Sequence, residues 1–173
     1  IITGIIGDRK GTLWIATEGN CLNKWNPETQ NFTHYQFRKE QDNSFHLPSR
    51  TLAIDSKGYL WIVSQSSGIY RFDPDKGQFK KFDNTSVDFG NNTVKCLYID
   101  GLDKIWIGTN GNGFYSFDQK NNKFEHFESR EDGKGTNRNL IFDILPENDR
   151  YLLLAVDQGG INRFDKKNGT FEY

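Results

Sequence analysis

The stretch YIDGLDKIWIGTNGNGFYSFD, from Tyr98 to Asp118, decides the fold. An apolar run ends on an acid at Asp100, a short polar turn follows, and a second run carries Trp106 before a loop of Asn and Gly leads to the aromatics Phe114, Tyr115 and Phe117. No apolar period of a helix runs through it, whereas β-branched and aromatic residues fill each short run and turn formers separate them. With its flanks the stretch predicts four strands, roughly Val94 to Asp100, Lys104 to Thr109, Phe114 to Asp118 and Lys123 to Phe127.

The pattern recurs along the chain. GTLWIATEGNCLNKW, GYLWIVSQSSGIYRF and RYLLLAVDQGGINRF repeat it around Trp14, Trp61 and Leu153, so the four anchors are spaced by 47, 45 and 47 residues. Six residues before each anchor stand Asp8, Asp55, Asp100 and Glu147, and eleven after stand Trp25, Phe72, Phe117 and Phe164. Eighteen after come Phe32, Phe79, Phe124 and Phe171, and at twenty-one Tyr35, Phe82 and Phe127. A period of this length is that of propeller blades, in which a small sheet cannot bury both faces alone and packs its large rings against the next. The fold class is therefore all-β, a β-propeller of four consecutive four-stranded antiparallel blades over residues 1–173, approximately 1–37, 50–82, 93–127 and 139–173. A buried Trp contributes at most roughly 4 to 6 kcal/mol, so Leu153 in place of Trp predicts a weaker or differently packed contact in the fourth copy.

Composition agrees. Seventeen Gly, fourteen Phe, seven Tyr and four Trp accompany a hydrophobic fraction of only 35%. The 22 basic and 23 acidic side chains nearly cancel, leaving a net charge of -1 and no field to attract nucleic acid or an anionic membrane surface. No run is long enough for a membrane helix and no signal sequence is evident. A chain without methionine reads as a processed form or a piece of a longer polypeptide. Cys21 and Cys96 fall at unlike repeat positions and read as two free thiols.

Acid-to-glycine turns at Asp8 to Gly11 and Asp55 to Gly58 join the first strands, and NPETQN, DPDKGQ, DQKNNK and DKKNGT are polar hairpin tips. In four antiparallel strands the loop between the second and third and the connection to the next copy emerge at the same end. Loops Arg38 to Ser49, Asp83 to Asn92 and Glu128 to Asn139, with Glu18 to Asn20, Gln65 to Ser67 and Asn110 to Asn112, mark that end as the functional one. Amides, carboxylates and flat cationic or aromatic faces there suit sugar hydroxyls and rings. The candidate ligand-binding residues are Arg50, Gln65, Asn110, Asn112, Arg138, Asp157 and Gln158, with Phe45 as a ring-stacking face.

Other motifs carry less. His34 and His126 share one repeat position and read as outer-strand residues, His46 as a solvated one; none reads as a metal ligand, and no cofactor is implied. The tip Asp73 to Gly77 lacks the later ligands of a calcium loop. Glycosylation-type triplets at Asn31, Asn84, Asn91 and Asn168 are what Asn-rich turns generate. No nucleophile elbow or catalytic triad is evident, and Asp8, Asp55 and Asp100 read as turn formers.

The copies ending YIDGLDKIWIGTNGNGFYSFD and AIDSKGYLWIVSQSSGIYRFD resemble the two-component regulator propeller repeat; IIGDRKGTLWIATEGNCLNKWN follows it closely, and the fourth copy departs at Pro146, Glu147 and Leu153. The resemblance implies part of a larger propeller of about seven blades in the periplasmic sensor region of a Bacteroidetes-type hybrid two-component system histidine kinase. It further implies a sensing module without catalysis of its own and an oligosaccharide ligand. Two exposed flanks then meet either the remaining blades of the same polypeptide or a second copy. A protein-interaction scaffold is the alternative reading, and a propeller glycan lyase or hydrolase the third.

Overall fold

A computed structural model describes residues 1–17, 21–36, 52–64, 68–82, 94–127 and 139–173. They form sixteen strands in four antiparallel four-stranded sheets, each in simple sequence order. The first sheet contains β1 (Ile2–Gly7), β2 (Leu13–Thr17), β3 (Cys21–Asn26) and β4 (Asn31–Gln36). The second has β5 (Leu52–Ile54), β6 (Leu60–Ser64), β7 (Gly68–Asp73) and β8 (Gln78–Phe82). In the third, β9 (Val94–Ile99), β10 (Ile105–Thr109), β11 (Phe114–Asp118) and β12 (Lys123–Phe127) lie within one residue of the strands expected from the sequence. The fourth has β13 (Ile141–Pro146), β14 (Tyr151–Val156), β15 (Gly160–Asp165) and β16 (Thr170–Glu172). The chain divides into two compact units, Ile1–Asn84 and Thr85–Tyr173, each holding two sheets.

Each unit buries one core between its two sheets, and the two cores are built alike. In the first, Trp14, Ala16 and Leu22 of the first sheet meet Leu60, Ile62, Tyr70 and Phe72 of the second. In the second unit, Cys96, Trp106 and Phe114 of the third sheet meet Ile141, Leu152, Leu154 and Phe164 of the fourth. Phe72 stands edge-on to Trp14 at 5.5 Å and 66°, and Phe164 to Trp106 at 5.4 Å and 66°. The ring twenty-one residues after each tryptophan closes the group, Tyr35 on Phe72 at 4.8 Å and Phe127 on Phe164 at 5.0 Å. Edge-to-face packing at such distances adds to what burial alone contributes.

The acid six residues before each tryptophan does more than make a turn. Gly11 and Gly58 donate back to the carbonyls of Asp8 and Asp55 at 3.0 Å and adopt φ of 79° and 85°, as the turn requires. One carboxylate oxygen of Asp55 accepts the N–H of Lys57 and Tyr59, and the other accepts the Trp61 indole N–H at 2.8 Å. Asp8 holds Trp14 at 3.1 Å and Asp100 holds Trp106 at 2.9 Å in the same way. The three rings, at most 1% exposed, thus keep their N–H satisfied inside the core. A second side-chain clamp, an amide in the first sheet and an acid in the other three, caps each hairpin between third and fourth strands: Asn26, Asp73, Asp118 and Asp165 each accept two backbone N–H groups from the tip.

The fourth sheet changes both members of the acid–tryptophan pair together. Asn148 takes over the turn, accepting from the N–H of Arg150 and Tyr151, and Glu147 is freed to accept from Arg163 at 2.7 Å. The Arg163 guanidinium lies 3.7 Å over the Tyr151 ring. Leu153 is half-buried on this ionic face, a packing different from that of the three tryptophans.

The first strand of three sheets carries an irregularity in register, skipping Thr3, Lys95 or Phe142. Gly108, two places after its anchor, accommodates close approach: a Cβ there would fall 2.5 Å from the Cys96 sulfur and 2.9 Å from Ile141. The Cys96 sulfur is buried and points to the Ile141 carbonyl at 3.8 Å; the side chain of Cys21 lies outside the described residues.

Candidate functional site

Because the sheets are antiparallel, the Asp–Trp turns and the hairpin tips share one end of each sheet, and the loop between second and third strands lies at the other. In the second unit that other end is ordered by backbone hydrogen bonds between its two sheets. Asn110 bridges Leu140, and Gly111 and Gly113 donate to the Asn139 carbonyl at 2.9 Å. The Leu140 carbonyl in turn accepts the Asp157 N–H at 3.0 Å. Asn110 and Asp157, both four residues after their anchors, therefore flank Leu140, just before the first strand of the fourth sheet.

The four candidate residues that the structure describes are not equivalent. Asn110 and Asp157 are half-buried and Gln158 is exposed, and the side chains of all three have no partner among the described residues. Gln158 reaches out from a backbone with φ of 50°. Asn112 differs: its amide donates to the Tyr115 hydroxyl at 2.6 Å and its N–H to the Thr109 hydroxyl at 3.0 Å. The same residue's carbonyl meets Nε2 of His126 at 2.7 Å, and His126 lies parallel to the Tyr115 ring at 4.1 Å. Arg50, Gln65, Arg138 and Phe45 lie outside the described residues.

His126 and His34 are exposed outer-strand residues, and each ties β4 or β12 to the strand beside it, His34 through the Asn23 side chain and His126 through Tyr115. That tether, which involves partners on the third strand, could have been suspected from the shared repeat position, but its chemistry differs in the two sheets.

Several carboxylates are held in the charged form. Arg150 beside Asp165, with further hydrogen bonds from the Lys167 and Asn168 backbone, brings that carboxyl down to about 2. Burial raises the Asp8 carboxyl, but hydrogen bonds from Trp14, Thr12 and Lys10 outweigh it and leave it below the ordinary value. Lys104 lowers Glu125, and the Asn121 amide lowers Asp118. All four hold turns or strand pairs.

Residues 88–111 match the family described as two component regulator propeller. The fold is similar to the extracellular domain of the putative hybrid two component system BT4673 from B. thetaiotaomicron, with 22% identity and a TM-score of 0.77 over 94% of this chain and 21% of that one. It is also similar to the extracellular domain of the putative hybrid two component system BT3049 from the same organism, at 20% identity and TM-score 0.77, covering 99% of this chain and 24% of that one. Virginiamycin B lyase from Staphylococcus aureus shares the fold at 14% identity and TM-score 0.74, over 99% of this chain and 54% of that one. The chain thus spans about a fifth to a quarter of the two extracellular domains. No curated protein matches the sequence. These likenesses establish an all-β fold of propeller type. Among the described residues no helix is long and apolar enough to cross a membrane.

Proposed function

We propose that this chain is a ligand-sensing stretch of an extracytoplasmic, periplasmic propeller, which passes its signal to a two-component system that regulates transcription, and that its ligand is an oligosaccharide. One observation carries the reading: the match of residues 88–111 to the two component regulator propeller ends at Gly111, inside the loop where Asn110 and Asp157 flank Leu140. Asn110, Asp157 and Gln158 present an amide pair and a carboxylate, groups that pair with sugar hydroxyls. Asn112 is a poorer candidate, since its amide is engaged by Tyr115.

The flanking sheets support a larger assembly. Leu13 and Phe32 of the first sheet hold the repeat positions of Leu60 and Phe79, yet Leu13 is 40% and Phe32 50% exposed, whereas Leu60 is fully buried. In the fourth sheet Leu145 and Ile161 are 57% and 66% exposed. Apolar faces of this kind are covered in a closed propeller by further blades of the same polypeptide or by a second copy.

Calorimetry of the chain against a panel of plant and host oligosaccharides tests the proposal. Saturable binding that weakens by about tenfold in Asp157→Ala supports it. Silence across the panel, together with a reproducible protein partner, replaces it with an interaction scaffold. The likeness to virginiamycin B lyase favours one further reading, an enzyme, which turnover of a glycan by the isolated chain would reveal.

A further inference from the structure

At the turn end of the first unit lies a cleft of about 390 Å³, formed by the Asp8 to Gly11 turn of the first sheet and by the Asp55 to Gly58 turn and Asp73 hairpin of the second. The second unit shows what occupies the corresponding place there. Lys166, thirteen residues after the fourth anchor, extends from its hairpin to the Asp100 carboxylate at 3.4 Å, and the two side chains are only 15% and 3% exposed. Asp8 is the repeat equivalent of Asp100, and Pro74 is that of Lys166. Proline has no amine to extend, so Asp8 faces the cleft without the intramolecular cation and stays half-exposed where Asp55 and Asp100 are buried.

The rest of the lining is balanced and available. Four carboxylates and four basic side chains surround the cleft, which has no net charge to favour a simple cation or anion. The side chains of Arg9, Lys10 and Lys57 have no partner among the described residues. One end thus repeats the place where an ammonium group sits in the second unit, and the other offers unpaired cations for an anionic group. The volume suits a molecule the size of an amino acid or a short peptide.

We propose that this cleft is a binding site for a small zwitterion, whose ammonium group takes at Asp8 the place Lys166 takes at Asp100 and whose anionic group lies among Arg9, Lys10 and Lys57. The site lies at the turn end of its own two sheets, whereas Asn110 and Asp157 stand at the loop end of theirs, so it is independent of the oligosaccharide reading.

The test is titration of the whole chain, followed by calorimetry and by chemical-shift change, with the probes glycine, β-alanine, γ-aminobutyrate and ε-aminocaproate. Butylammonium and butyrate serve as half-ligands. At least one zwitterion saturates, about tenfold tighter than either half-ligand, as expected when a second charge-assisted contact is added. Pro74→Lys supplies the missing amine from within and weakens that binding by about tenfold or more. This variant keeps the fold, because Asp165 to Gly169 already forms the same hairpin with lysine at that position. Asp8→Asn, which retains an oxygen for the turn, weakens the same probe while leaving butyrate unaffected. No saturation by any of the four probes, a half-ligand that binds as tightly as its zwitterion, or unchanged affinity in a folded Pro74→Lys would each overturn the proposal.

Discussion

The indole N–H of Trp106 donates to the Asp100 carboxylate across 2.9 Å, while the other oxygen of that carboxylate takes the backbone N–H of Leu102 and Lys104 at 3.0 Å each. Asp100 is 6% exposed, so its removal leaves the buried indole N–H, two part-buried backbone N–H groups and the Lys166 ammonium without an acceptor. Asp100→Ala is expected to cost about 2 to 4 kcal/mol, and Asp8→Ala less, since water reaches the donors around the more exposed residue. Urea unfolding followed by tryptophan fluorescence measures both; equal losses would mean that burial does not set the effect.

Gly108 should resist any side chain. Its φ is not in the left-handed region, so backbone freedom is not the reason, and alanine there would ordinarily stiffen a strand. The added carbon instead meets the Cys96 sulfur and Ile141 across the core. Gly108→Ala is expected to destabilise by about 1 to 3 kcal/mol through overpacking. Pairing it with Cys96→Ala removes one of the two clashes and should recover part of the loss in the same unfolding assay.

Acid should loosen the structure from about pH 4 downward. Asp8, Asp118, Glu125 and Asp165 all have folded-state carboxyl values below their ordinary ones, Asp165 at about 2 through Arg150. The unfolded chain therefore takes up protons first as pH falls. The stabilisation is present in full above the unfolded values near about 4 and disappears as pH drops through the folded ones. Urea midpoints should fall steadily between about pH 4 and pH 2, and a flat profile would contradict the assignment.

At the loop end, Asp157→Ala is expected to weaken oligosaccharide binding by about tenfold, the effect of losing one charged hydrogen bond. Asn112→Ala should change it by less than about twofold, as its amide already serves Tyr115. Titrating both variants with whichever sugar saturates the parent chain checks the order; the reverse order would move the ligand onto the Asn112 side of the loop.

Much of this molecule is legible in its letters because repetition multiplies weak signals. One Trp or Phe says little, but rings at fixed offsets from Trp14, Trp61 and Trp106 mark the sheets and the strand edges to within a residue in the third copy. Asp8, Asp55 and Asp100 are recognisable as turn residues from the glycine or polar residues after them. Their grip on the indole is not, since a six-residue spacing becomes a contact only once two strands pair. The fourth copy hides its solution for a similar reason: Asn148 inherits the turn one position late, and Glu147 turns to Arg163 sixteen residues away. Among the candidate site residues, the loop end could be read from strand direction, and the pairing of Asn110 and Asp157 about Leu140 needed coordinates. The cleft at Asp8 has no signal in the letters, because it depends on the amine that Pro74 lacks.

Near-identical sheets in one chain face a hazard of assembly, for any second strand has several acceptable first strands. The Asp–Trp bond links residues only six apart, so it can close within a single hairpin before distant partners meet. Each copy that has the pair thereby selects its own neighbour early and is shielded from swapping with the others. The fourth copy, fastened instead through Arg163 to Glu147 and Glu172, must await its later strands before it is secured, and it is where misassembly should begin.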